Sequence, residues 1–133
     1  MSLLAAEAAS PVQKALGYIV DDDADLGCLV QTILEQAGLR TVFFPEPDQA
    51  LKAFQAAGTK PDLLLTDFHM HSMDGMELIE SCKRLEPRLK TILYSGTVLA
   101  EMLEPYAYKP DKFLQKPFQP KLLLDAIRAA LAS

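Results

Sequence analysis

From about Ala15 the chain alternates short apolar runs with amphipathic stretches, and the alternation repeats five times. "LGYIV" (Leu16 to Val20) is largely apolar and stops at three aspartates, Asp21 to Asp23. Leu26, Leu29, Val30, Ile33 and Ala37 then recur on one helical face, and Gly38 is placed to end that helix. "RTVFF" (Arg40 to Phe44) predicts a second strand. Pro47 suits a first helical turn, followed by Ala50, Leu51, Phe54 and Ala57, with Gly58 as the stop. "DLLLT" (Asp62 to Thr66) predicts strand three, and Leu78, Ile79, Cys82 and Leu85 mark the helix after it. "KTILYS" (Lys90 to Ser95) and "KFLQ" (Lys112 to Gln115) predict strands four and five, and Leu123, Ile127, Ala130 and Leu131 line a closing helix. Between the last two strands, Pro105 and Pro110 allow only a short helix, expected over Val98 to Glu104.

Strands without polar alternation, separated by helices, predict a parallel sheet covered on both faces. Right-handed crossovers then give an open, doubly wound α/β sheet of five strands, because five βα units are too few for an eight-stranded barrel. A length of 133 residues is that of one domain, expected over residues 15–133 with residues 1–14 as a tail or linker.

Composition narrows the function by exclusion. A net charge of −5 without a basic cluster argues against direct nucleic-acid binding by this domain. The apolar runs are too short to span a bilayer, and "MSLLAAEAAS" lacks the basic start and the long apolar core of a signal peptide. Cys28 and Cys82 lie in helical patterns with no Cys-x-x-Cys spacing, which predicts reduced core cysteines in a cytoplasmic protein.

In an open α/β sheet, ligands sit outside the carboxyl ends of the strands. Those ends carry Asp21, Asp22 and Asp23 on strand one, Asp67 after strand three, Ser95 on strand four and Lys116 after strand five. "LLLTDFHMHSMDG" also places His69, His71 and Asp74 in an order that looks like the start of a zinc site. A zinc hydrolase would need further ligands, and the chain has no third histidine. Asp74 and Gly75 read better as a loop and a helix cap.

This constellation resembles the receiver domain of two-component response regulators over roughly residues 16–131. "YIVDDDADL" is similar to that family's first strand with its acidic pair, and "PDLLLTDFHMHSMDGMEL" to its phosphoacceptor segment, with Met70, Asp74 and Gly75 in place. "ILYSG" carries the hydroxyl residue followed by a small one, and "FLQKPF" the lysine–proline signature.

The resemblance implies a flavodoxin-like sheet of order 2-1-3-4-5, with Asp67 as phosphoacceptor. It further implies that Asp21, Asp22, Asp67 and the backbone carbonyl of His69 hold Mg²⁺ (or Mn²⁺). Close carboxylates repel by roughly 4 kcal/mol per pair at an effective dielectric near 20, and a hard dication with oxygen ligands removes that repulsion. Ser95 and Lys116 would contact the phosphoryl group, Gly96 would leave it room, and Phe113 would be the switch aromatic. The Lys116–Pro117 bond would be cis. His69 would face the phosphoryl pocket, and His71 stands where the family usually has proline. The implied donor is a histidine kinase or a histidine phosphotransfer protein, and the domain would be a switch for partner binding, not an enzyme. The alternative is a pseudo-receiver that binds a partner without phosphorylation. It is suggested by Lys109-Pro110, which replaces the family's usual Gly-Ala before strand five.

Overall fold

A computed structural model describes residues 15–133; the expected tail over residues 1–14 lies outside the described residues. The chain runs β1 (Leu16–Val20), α1 (Ala24–Gln36), β2 (Arg40–Phe44), α2 (Pro47–Ala56), β3 (Leu63–Asp67), α3 (Gly75–Leu85), β4 (Lys90–Ser95), a 3-10 turn (Ala100–Leu103), β5 (Lys112–Gln115) and α4 (Pro120–Ala132). The five strands are all parallel, in the order β2-β1-β3-β4-β5. Among the described residues, no helix is long and apolar enough to cross a membrane.

Period-two alternation splits the core into two layers. Ile19, Leu63, Leu65, Ile92 and Tyr94 face α1 and α4, meeting Val30, Leu34, Leu123 and Ile127. Tyr18, Val20, Leu64 and Leu93 face α2 and α3, meeting Phe54, Met76, Ile79 and Cys82. The central strand β3 is buried along its whole length, which is why its sequence shows no polar alternation. The edge strand β2 keeps Arg40 and Val42 exposed.

Local chemistry sets the element ends. Asp23 caps α1, accepting the N–H groups of Asp25 and Leu26. Gly38 ends that segment at φ 102°, a conformation that favours glycine. Asp74 and Glu77 form a reciprocal capping box at the start of α3.

Three expectations are corrected. Asp62 lies outside β3, and its carboxylate instead accepts the Leu16 N–H at 2.9 Å. The helix expected over Val98 to Glu104 is a four-residue 3-10 turn, because the Ser95 hydroxyl oxygen accepts the Val98 N–H and holds the chain in a turn there. Cys82 is buried but Cys28 is exposed, because Cys28 lies off the buried face of α1 formed by Gly27, Val30, Ile33 and Leu34.

Candidate functional site

The alternation that builds the two layers also gathers the site. Asp21 continues the parity of Ile19, Asp67 that of Leu65, and Lys116 that of Leu114, so all three project on the α1/α4 side of the sheet rim. Tyr94 shares that face and stands directly opposite Asp67 in the β3–β4 register. Ser95 and Phe113 have the opposite parity; Phe113 is half-buried against the α2/α3 layer.

Asp21, Asp22 and Asp67 each offer a carboxylate oxygen, and these atoms lie within 4.8 Å of one another. Asp21 is fully buried, Asp67 is 7% exposed and Asp22 is exposed. Lys116 Nζ lies 3.4 Å from Asp67 Oδ1. Asp21 is held at both oxygens: Oδ1 accepts the Asp23 N–H at 2.8 Å and Oδ2 accepts the Tyr94 hydroxyl at 3.0 Å.

Burial is the main force raising the Asp21 carboxyl above its ordinary 3.8, and the Asp67 charge adds to it against the Asp23 N–H, the Tyr94 hydroxyl and Lys116. Burial likewise raises Asp67, with Asp22 adding to it, although Lys116 pulls the other way. Three carboxyl groups thus cluster around one nearby lysine. Oxygen donors, short spacing and a shortage of countercharge together fit a hard dication.

The Ser95 hydroxyl oxygen accepts the N–H groups of Thr97 and Val98, which leaves its own O–H to donate. Lys116–Pro117 is cis, as expected. His69 is exposed, and its Nε2 lies 2.6 Å from Thr97 Oγ1, joining the loop after β3 to the loop after β4. His71 is exposed and sits 3.6 Å from Asp22 Oδ2. The two histidines meet different partners, and neither belongs to the one candidate metal cluster found among the described residues, so the zinc arrangement is absent there.

Sequence reasoning missed two residues of this site. Thr97 left no signal, because its role depends on how two loops approach. Tyr94 leaves a faint one: its place in "KTILYS" predicts a strand residue, yet it brings a hydroxyl group into a position of core parity one residue before the strand end.

A sequence profile described as the response regulator receiver domain matches residues 18–128. The response regulator receiver protein CpdR of Brucella abortus is 33% identical over 116 residues, covering 85% of this chain and 93% of that protein. The DNA-binding transcriptional regulator NtrC of Salmonella typhimurium is 31% identical over 108 residues, covering 80% of this chain. The chain spans only 23% of the length of NtrC. Among solved structures, a CheY-like receiver domain protein of Methanospirillum hungatei superposes with a TM-score of 0.80 at 26% identity, over 90% of this chain and 95% of the other. A receiver protein of Sinorhizobium medicae, at 22% identity and a TM-score of 0.82 over 92% and 98% of the two chains, shares the fold.

Proposed function

Since the chain belongs to the response regulator receiver domain family, we propose that Asp67 accepts a phosphoryl group from a phosphohistidine of a histidine kinase or phosphotransfer protein. The observation that carries this reading is the setting of Asp67: a nearly buried carboxylate at the end of a central strand, with two acids within 4.8 Å and Lys116 Nζ at 3.4 Å.

An Asp67 oxygen attacks phosphorus, and an O–P bond forms as the P–N bond to the donor imidazole breaks. The electron pair leaves with the imidazole nitrogen, which takes up a proton. Lys116 balances charge on the phosphoryl oxygens, and Ser95 donates its O–H to one of them. Asp21, Asp22 and Asp67 would hold Mg²⁺ (or Mn²⁺), with the His69 carbonyl as a further ligand. When bound, the cation supplies charge neutralisation between the carboxylates and the incoming phosphoryl group. Ser95 and Phe113 then shift on the α2/α3 side of the rim, which alters the surface around the 3-10 turn and β5 and so changes partner affinity.

Acetyl phosphate with Mg²⁺ tests this directly. A mass gain of one phosphoryl group in the wild type and none in Asp67→Asn is expected. Equal labelling of both, or of neither, overturns the assignment.

A further inference from the structure

We propose that Tyr94 is a positioning residue for this pocket: its buried hydroxyl fixes the Asp21 carboxylate while its ring carries Lys116. One side chain then sets the spacing between the cation-binding and phosphoryl-binding halves. The inference rests on the metal and phosphoacceptor reading above.

Tyr94 is fully buried, and Phe118 tilts against its ring with centroids 5.6 Å apart. Phenylalanine would fill the same core position without burying a hydroxyl, and burying a hydroxyl is costly unless it is paired. Here the hydroxyl donates to a carboxylate that is itself fully buried. With the Asp23 N–H on Oδ1 and the phenol on Oδ2, the Asp21 carboxylate cannot rotate, yet each oxygen keeps lone-pair capacity for a cation. Lys116 Nζ also stands 5.2 Å from the Tyr94 centroid and 3.4 Å from Asp67 Oδ1. The ring face thus supports the ammonium that faces the nucleophile. Groups that orient a metal ligand from behind commonly change metal affinity about 10- to 100-fold when removed.

Tyr94→Phe deletes the hydroxyl and keeps the ring. Calorimetric titration with Mg²⁺ should show affinity weakened by about tenfold or more. In acetyl phosphate labelling, the half-saturating Mg²⁺ concentration should rise by more than the maximal rate falls. Tyr94→Leu, which removes the ring as well, should lower the maximal rate further. A second readout needs no change at Tyr94. The chain has four tyrosines and no tryptophan, so Tyr18→Phe, Tyr106→Phe and Tyr108→Phe together leave Tyr94 as the near-ultraviolet reporter. Its absorption should shift with the same Mg²⁺ midpoint as the calorimetry. Wild-type Mg²⁺ affinity in a folded Tyr94→Phe, or a flat Tyr94 spectrum across the titration, overturns the inference. Failure of the wild type to bind Mg²⁺ overturns the metal reading itself, and the inference with it.

Discussion

Gly75 is the first residue of α3, and a Cβ built there would lie 2.3 Å from the Asp67 carbonyl oxygen, 3.1 Å from its carbon and 2.7 Å from Leu93 Cδ1. Real Cβ atoms essentially never approach within 3.0 Å, so Gly75→Ala demands a displacement of at least 3.0 − 2.3 = 0.7 Å. The obstacle is backbone, which cannot turn aside as a side chain can. Nor can α3 simply retreat, because the Gly75 N–H is bonded to the Phe68 carbonyl at 2.8 Å and the capping box fixes the helix start. Part of the displacement therefore falls on the main chain of Asp67. Overpacking of this kind costs about 1–3 kcal/mol, offset by at most about 1 kcal/mol from alanine's better helix propensity. The net expectation is a loss of about 1–2 kcal/mol in urea denaturation. A misplacement near 1 Å can slow a reaction by about 100-fold, so labelling by acetyl phosphate at saturating Mg²⁺ should slow by about tenfold or more. Gly58 is the control: nothing lies within 4 Å of its built Cβ, and Gly58→Ala should stabilise by about 0.4–1 kcal/mol with unchanged labelling. A Gly75→Ala protein with wild-type stability and wild-type labelling would refute the reasoning.

Two further predictions follow from the charges and loops of the site. Carboxylate oxygens at up to 4.8 Å repel by about 3.5 kcal/mol per pair at a dielectric of 20, while Lys116 at 3.4 Å attracts Asp67 by about 5 kcal/mol. After discounting exposed Asp22 for screening, Asp67→Asn should stabilise the metal-free protein by about 1 kcal/mol at neutral pH. Because the folded Asp67 carboxyl is raised above 3.8, its favourable contribution is complete below that pH and is lost as pH rises through the raised value. The advantage of Asp67→Asn should thus grow upward from about pH 4 in a denaturation series, and a gap independent of pH would contradict it. The His69–Thr97 hydrogen bond joins the loops after β3 and β4. His69→Ala and Thr97→Ala should each speed acetyl phosphate labelling by about 2- to 12-fold, from a net bond of about 0.5–1.5 kcal/mol. The double variant should match the singles, and additive effects would show that the bond is not what the substitutions remove.

Much of this structure was legible because the strands of a covered parallel sheet are short, largely apolar runs set between helical patterns. Leu16–Val20, Arg40–Phe44, Lys90–Ser95 and Lys112–Gln115 have the bounds their patterns predict. Asp21, Asp22, Asp67, Ser95 and Lys116 were legible because each follows or ends such a run, and a parallel sheet brings all those ends to one rim. Geometry that depends on two separate segments was not legible. Asp62 leaves β3 to meet Leu16, and Thr97 meets His69 across loops, and neither pairing has a local signature. Tyr94 reads as core because its hydroxyl partner is 73 residues away. The 3-10 turn departs from its expected helix because Ser95, assigned only to the phosphoryl group, also ties back the chain that follows it.

The 3-10 turn over Ala100–Leu103 is held by its surroundings more than by itself. Four residues make a single turn, far below the length at which a helix persists by its own hydrogen bonds. Its hold on the protein is the burial of Val98 and Leu103, the Val98 N–H donated to the Ser95 hydroxyl, and the Lys109 ammonium bonded to the carbonyls of Glu104 and Tyr106. β4, in contrast, is paired on both sides and buried. In native-state amide exchange, residues 100–104 should therefore form a fast class that opens on its own, while β4 amides wait for global unfolding. This ledge can be detached and reseated without unravelling the strand beside it.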